Sequence, residues 1–202
     1  MSDWIRRSFD AVGVTQHKPG RHLKALQEPH LGKVILCIDV SSSMSGTPLR
    51  EAVRGAREFV EQAVAARYRV GLILWNTSVA TSVPLSADPA PVRAGLDRAY
   101  ASGGTNVTPT LLAGTAALGS LTGDRVLAVF GDGDIGPVDA AVTAARGAAA
   151  LGIRIIVRGL GSHAAASLSQ IATEGMEVAE ISGHTSIAAG IAGMASSLRI
   201  RT

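Results

Sequence analysis

A D-x-S-x-S motif, formed by Asp39, Ser41 and Ser43, is the most distinctive polar pattern in the sequence. It ends a continuous apolar run, residues 33–40, which is typical of a strand buried on both faces. Alternate serines on a tight turn can direct two neutral hydroxyls at one point, with a carboxylate behind them. Hard cations such as Mg²⁺ prefer oxygen ligands and usually keep some water. The motif therefore indicates a divalent-cation site, although Asp and Ser are also common in ordinary loops.

Two further loops carry oxygen ligands of the same kind. Thr105 follows Gly103 and Gly104 and offers a third hydroxyl from a Gly-rich turn. Asp132 follows the buried apolar run 125–130 and offers a second carboxylate. Asp134 is an extra acid nearby, which we interpret as a solvated loop residue, with a water-mediated metal contact as the alternative.

The elements that must position these residues alternate between strand and helix from about residue 33 onward. Apolar runs predict strands at residues 33–40, 69–75, 79–85, 125–130, 153–158 and 177–181. Helical spacing predicts helices from residue 48 and at residues 91–100, 109–119, 138–150, 164–173 and 186–199. The run 79–85 alternates and contains Pro84, which favours an edge strand paired antiparallel.

This order predicts an α/β fold: a doubly wound, mostly parallel, Rossmann-like sheet with one antiparallel edge strand and helices on both faces. Ligands of such sheets bind in loops outside the C-terminal ends of the strands. That rule selects the loops 39–47, 102–108 and 131–136, which are the three loops that carry the oxygen ligands.

With these motifs in this order, the chain resembles the von Willebrand factor A (VWA) family over about residues 33–199. Five residues match the family's metal-ion-dependent adhesion site: Asp39, Ser41, Ser43, Thr105 and Asp132. The resemblance implies that Ser41 and Ser43 bind the metal directly and that Thr105 binds directly or through water. It implies that Asp39 and Asp132 act mostly through water and hydrogen bonds. One departure is Gly131, where the family's third motif commonly has the threonine of Thr-Asp-Gly.

The resemblance also implies a function. Neutral hydroxyls leave most of the cation's charge unquenched, so an open coordination position favours an Asp or Glu from a protein partner. We expect Mg²⁺, with Mn²⁺ and Ca²⁺ as alternatives, and no catalytic residues. Small stand-alone bacterial members often accompany AAA+ ATPases of the MoxR type or act in stress-response systems, which makes such an ATPase a candidate partner.

Charge and composition divide the chain in two. Residues 1–33 carry three more cations than acids, whereas residues 34–202 are balanced, so the net charge of +3 belongs to the N-terminal segment. We predict a basic arm over residues 1–32, with an amphipathic helix at residues 2–12, and a VWA domain over residues 33–202. The arm either packs on the domain or docks a partner.

Several function classes are disfavoured. The sequence shows no basic face with aromatic platforms of the kind that binds nucleic acid. No stretch reaches the 18 or so apolar residues of a membrane span. Cys37 is the only cysteine, so no intrachain disulfide can form, and its apolar neighbours favour a buried thiol. We therefore predict a cytoplasmic protein.

Two other functions remain open on the sequence. A Mg²⁺-dependent phosphoryl-transfer or hydrolytic enzyme would suit an aspartate at a strand end. However, Ser41 stands where a haloacid-dehalogenase-type phosphatase needs its second aspartate, and no P-loop motif is present. None of the five histidines has a motif that places it beside Asp39. The other alternative is a structural scaffold in which a metal only stabilises the loops.

Overall fold

The computed structural model describes residues 31–173, 180–181 and 186–198. The predicted arm, apart from its last two residues, lies outside the described residues, as do the predicted helix at residues 2–12 and most of the predicted strand at residues 177–181. The division at residue 33 stays a prediction.

The described residues form one six-stranded sheet. Its strands are β1 (Gly32–Asp39), β2 (Tyr68–Trp75), β3 (Val79–Ser86), β4 (Arg125–Gly131), β5 (Arg154–Leu160) and β6 (Glu180–Ile181). They lie in the order β3-β2-β1-β4-β5-β6. All neighbouring pairs are parallel except β2 and β3, which are antiparallel. The predicted mostly parallel sheet with one antiparallel edge strand is confirmed, and Pro84 lies exposed on that edge strand, where its missing N–H costs no interior pairing.

Helices cover both faces of the sheet. They are α1 (Thr47–Ala65), α2 (Ala90–Leu96), α3 (Thr108–Leu118), α4 (Val138–Ala150), α5 (Gly161–Ser169) and α6 (Ile187–Gly193), with 3₁₀ turns at Ser42–Met44 and Met194–Ser197. The predicted helix at residues 91–100 is shorter than expected, because α2 ends at Leu96. The chain must turn there to bring Ser102 to the end of β1, where its N–H donates to the Val40 carbonyl at 2.8 Å.

Strand β1 lies at the centre and divides the core into two clusters. Its side chains alternate: Val34, Leu36 and Ile38 pack on the face covered by α1, α2 and α6. Ile35 and Cys37 pack on the face covered by α3, α4 and α5. A strand buried on both faces needs a continuous apolar run, which is the pattern that residues 33–40 show.

Cys37 is fully buried, and its thiol donates to the Ile35 carbonyl with an Sγ–O distance of 3.7 Å. Burial raises the pKa of the Cys37 thiol well above its ordinary value. A thiol that is both neutral and inaccessible is chemically inert.

A polar cluster ties the elements together where the parallel strands begin. Asp124, just before β4, accepts hydrogen bonds from Arg154 at 2.9 and 2.6 Å and also from the Tyr68 hydroxyl. Arg154 also donates to the Ser197 carbonyl at 3.3 Å. These bonds connect β2, β4 and β5 to the 3₁₀ turn after α6, at the end of the sheet opposite the three motif loops.

Within the described residues, no helix is long and apolar enough to cross a membrane.

Candidate metal centre

The first motif loop begins where β1 ends, at Asp39. The Ser41 N–H donates to Asp39 Oδ1 at 2.7 Å, so the carboxylate closes the turn that carries the serines. The hydroxyls of Ser41 and Ser43 lie 2.9 Å apart, within hydrogen-bond distance of each other. Backbone and carboxylate thus hold the two hydroxyls side by side, as the D-x-S-x-S pattern predicts.

The second loop is joined directly to the first. The N–H and the hydroxyl of Ser42 both donate to the Gly103 carbonyl, at 3.0 and 2.8 Å. Ser102 adds its bond to the Val40 carbonyl. Gly103 has a φ of +76°, a conformation that glycine adopts without strain. The loop that carries Thr105 is therefore fixed to the loop that carries the serines.

The third loop is joined to the second. The Val107 N–H donates to the Ile135 carbonyl at 3.1 Å. Gly136 has a φ of +76°, and a Cβ there would lie 3.0 Å from the Thr105 carbonyl oxygen, so the two loops are in close contact. Asp134 is exposed and accepts from the Gly136 N–H at 2.8 Å, which gives it a role in the turn of this loop.

The Asp39 carboxylate is the electrostatic centre of the three loops. It is fully buried, and no described group lies in hydrogen-bond geometry with its Oδ2 atom, although the nearby Asp132 N–H interacts with the carboxylate. Burial raises the pKa of Asp39 to about 7; the polar groups of Ser41 lower it, the charge of Asp132 raises it and the Asp132 N–H lowers it. The Asp132 carboxylate is therefore close enough to Asp39 to affect its charge, as two acids that share one cation must be. An orphaned buried oxygen is costly unless another group compensates it.

The structure therefore brings Asp39, Ser41 and Ser43 into one turn and places Asp132 close to Asp39. Thr105 lies in the adjoining loop, between Gly104 and Asn106, whose N–H groups donate to residues of the loop after β2. All five predicted ligand residues lie in joined loops at one end of the sheet; their binding of a metal stays a prediction.

Two residues that the sequence analysis did not single out hold the Thr105 loop in place. The Asn76 side-chain amide donates to the Ser102 carbonyl at 2.9 Å, and the Asn76 backbone carbonyl accepts from the Asn106 N–H at 2.8 Å. The Thr77 hydroxyl accepts from the Gly104 N–H at 3.0 Å. The only sequence signal was their place directly after a strand, in a loop at the same end of the sheet.

The donor set fits a hard cation. No group of three or more His, Cys, Asp or Glu side chains that could hold a metal occurs within the described part of the chain. A cation at these loops would therefore depend on hydroxyl and water oxygens beside two carboxylates. Such a site suits Mg²⁺ better than a soft metal, which prefers thiolate or imidazole. The side chains of all five histidines lie outside the described set, so the structure adds nothing to the predictions made for them.

Comparison with solved structures gives the fold a context. The vWF domain of a type V pili tip protein from Porphyromonas gingivalis matches with a TM-score of 0.74 at 14% identity, covering 83% of this chain and 95% of that chain. The pilus adhesin SpaC from Lactobacillus rhamnosus GG matches with a TM-score of 0.71 at 14% identity, covering 83% of this chain and 30% of that chain. This chain thus spans less than a third of SpaC.

A bacterial protein of higher sequence identity matches less extensively. BatB from Bacteroides thetaiotaomicron is 26% identical, with a TM-score of 0.57, and the match covers 64% of this chain and 67% of that chain. No curated protein sequence is significantly similar to the chain.

The family assignment comes from the sequence profile of the von Willebrand factor type A domain, which matches residues 34–134. The matched segment is half of the 202-residue chain and runs from β1 to the third motif loop. It contains the first two motif loops and the first four residues of the third, and with them all five predicted ligand residues. The chain belongs to the von Willebrand factor type A domain family.

Proposed function

We propose that this protein binds one divalent cation, Mg²⁺, and uses it to bind an Asp or Glu side chain of a partner protein. The observation that carries the proposal is the buried, unpartnered Oδ2 of Asp39 behind the paired hydroxyls of Ser41 and Ser43. Ser41 and Ser43 are the direct ligands in this proposal. Thr105, Asp39 and Asp132 complete the site, the two carboxylates mostly through water.

The chemistry of the ligands supports a carboxylate-bearing partner. Serine and threonine hydroxyls are neutral, and the two carboxylates would contact the cation mostly through water. The cation then keeps most of its positive charge toward an open coordination position. In a site shielded from water, an incoming carboxylate interacts more strongly with such an ion than it would in bulk solvent.

The fold supports the same conclusion at a coarser level. The chain has the fold of an interaction and adhesion module, and one of its structural neighbours is a pilus adhesin. The resemblance to small stand-alone bacterial members of the family makes a MoxR-type AAA+ ATPase the first partner that we propose to test. Cytoplasmic location stays a prediction from the sequence, as does the absence of catalytic residues.

Titration of Mg²⁺ into metal-free protein by calorimetry tests the metal site. We expect one site in wild type and a loss of affinity of about tenfold or more in Ser41→Ala, because a direct oxygen ligand is removed. Ser169→Ala is the matched control, since the Ser169 hydroxyl is exposed on α5 and donates only to the local Ala166 carbonyl at 2.6 Å. Equal affinity in wild type and Ser41→Ala contradicts the assigned ligand set.

Capture from native cell extract tests the interaction. Wild type and Ser41→Ala are compared with Mg²⁺ and with EDTA, and circular dichroism checks that both proteins are folded. A partner retained only by wild type with Mg²⁺ supports metal-dependent adhesion. A partner retained under all conditions supports the alternative in which the metal only stabilises the loops.

A further inference from the structure

Trp75 ends β2 and lies directly beside the metal site. It pairs with Asp39 in the register of β1 and β2, and its carbonyl accepts from the Val40 N–H at 2.7 Å. The indole is fully buried, and no described group accepts a hydrogen bond from its Nε1. Trp75 therefore contacts the first motif loop through its backbone carbonyl, while its large, rigid indole packs against a different loop.

The indole packs against the third motif loop at Gly131. A Cβ at position 131 would lie 3.3 Å from Trp75 Cζ2 and 3.5 Å from Cη2. The same Cβ would lie 3.4 Å from Oδ2 of Asp39, the orphaned oxygen of the site. A Cβ at position 131 would thus be in tight contact with the six-membered ring of the indole and in van der Waals contact with Asp39, which leaves little space there for the further atoms of a larger side chain.

Asn76 and Thr77, the next two residues, anchor the second motif loop through the hydrogen bonds described above. Their approach is close: a Cβ at Gly103 would lie 3.1 Å from Asn76 Nδ2 and 3.4 Å from Thr77 Oγ1. The segment 75–77 therefore touches the first loop through the Trp75 carbonyl, the second through Asn76 and Thr77, and the third through the indole.

We propose that Trp75, Asn76 and Thr77 form a fourth loop of the metal centre, which binds no metal itself and fixes the positions of the three loops that do. The inference rests on the proposed metal site and extends it to residues outside the D-x-S-x-S pattern and its partners. These residues are positioning residues: they set the distance between Asp39, the serine hydroxyls, Thr105 and Asp132. Groups that orient metal ligands typically contribute about 10- to 100-fold to metal affinity.

The first test compares two threonine variants by Mg²⁺ calorimetry. Thr77→Val keeps the shape of the side chain and removes the acceptor for the Gly104 N–H. Thr143→Val is the matched control, because the Thr143 hydroxyl donates to the Asp139 carbonyl at 2.8 Å within α4 and not to a residue of the three motif loops. We expect Thr77→Val to lower Mg²⁺ affinity about tenfold, and Thr143→Val to leave it unchanged.

The second test is a double-mutant cycle at the indole. Gly131→Thr forces a side chain between Trp75 and Asp39 and should lower Mg²⁺ affinity at least about tenfold. Trp75→Phe removes the ring atoms that a Cβ at 131 would meet. In the double variant we expect affinity close to that of Trp75→Phe alone, because the added side chain then has room. Trp75 emission, measured in a Trp4→Phe background, should change over the same Mg²⁺ range that calorimetry reports.

The outcomes separate this inference from the function on which it rests. If wild type binds Mg²⁺ and Thr77→Val binds it equally well, or if the cycle at positions 75 and 131 is additive, the positioning role is wrong and the metal site stands. If wild type binds no Mg²⁺, the proposed function fails and the inference fails with it. Thermal unfolding in EDTA shows which variants fold. If Gly131→Thr does not fold, Thr77→Val still tests the inference.

Discussion

At the scale of single residues, Asp39 has two conflicting properties. Its carboxylate closes the serine turn through the Ser41 N–H, yet it is fully buried with one oxygen unpartnered. Burial disfavours the charged form, and the nearby charge of Asp132 adds to the cost. A bound cation would compensate both effects, so the metal-free protein should carry an electrostatic strain that the metal relieves.

The metal-free protein should lose stability as the pH rises from about 4 to about 7. The pKa of Asp39 is raised from 3.8 to about 7, so within this interval the folded state binds more protons than the unfolded state. The free energy of unfolding therefore falls with rising pH, by an amount on the order of 3 kcal/mol. Urea denaturation in EDTA from pH 4.5 to 8 measures the effect. Asp39→Asn, which cannot ionise, should show a clearly weaker pH dependence, and equal slopes in both proteins would contradict the prediction.

At the scale of secondary-structure elements, the interior glycines of α1 and α4 have different roles. Gly55 on α1 faces α6, and a Cβ there would lie 2.4 Å from the Ala188 carbonyl oxygen. Gly147 on α4 is exposed, and nothing lies within 4 Å of the position of its Cβ. Gly55 therefore allows two helices to approach closely, whereas Gly147 has no packing role.

The same substitution at the two glycines should change stability in opposite directions. Gly55→Ala should lower the free energy of unfolding by about 1–3 kcal/mol, because the methyl group meets the backbone of α6. Gly147→Ala should raise it by about 0.5–1 kcal/mol, because alanine favours the helix and restricts the unfolded chain. Chemical denaturation of both variants measures the difference. A destabilised Gly147→Ala would show that the helix needs a glycine there.

The elements also show what the sequence could and could not predict. Apolar runs and the edge-strand signal of Pro84 were sufficient to predict β1 to β5 and the antiparallel edge. The strand-end rule identified the loops that the structure joins. The roles of Asn76 and Thr77 could not be predicted, because their partners lie 26 and 27 residues further along the chain. A polar residue in a loop has no local sequence pattern that identifies a hydrogen-bond partner so far along the chain. The end of α2 was misplaced because the bond between Ser102 and Val40 joins residues still further apart in the sequence.

At the scale of the whole molecule, the two ends of the sheet have different roles. The joined loops and the proposed cation site lie where the parallel strands end. The cluster of Asp124, Arg154 and Tyr68 lies where they begin and connects the sheet to the turn after α6. The side chains of Arg154 and Asp124 are only 12% and 6% exposed, so their ion pair is shielded from solvent.

Removing one partner of this ion pair should lower stability without changing metal binding. Asp124→Ala removes the carboxylate that accepts two hydrogen bonds from Arg154. Loss of one member of a buried pair costs about 3–5 kcal/mol. Partial exposure of the pair places the expected loss at the lower limit, about 3 kcal/mol. Mg²⁺ affinity should equal that of wild type at temperatures where the variant is folded. A loss of affinity as large as that of Ser41→Ala would show that the two ends of the sheet are energetically coupled.

The burial of Cys37 has a practical consequence for studying this protein in solution. Thiol-specific dyes react with accessible thiolates, and the single cysteine of the chain offers neither the access nor the charge. Tyr100, by contrast, is 77% exposed and stands two residues before Ser102. A Tyr100→Cys variant should therefore accept one dye beside the second motif loop while Cys37 stays unlabelled. The wild-type sequence is already a suitable background for single-site fluorescence, without prior removal of its own thiol.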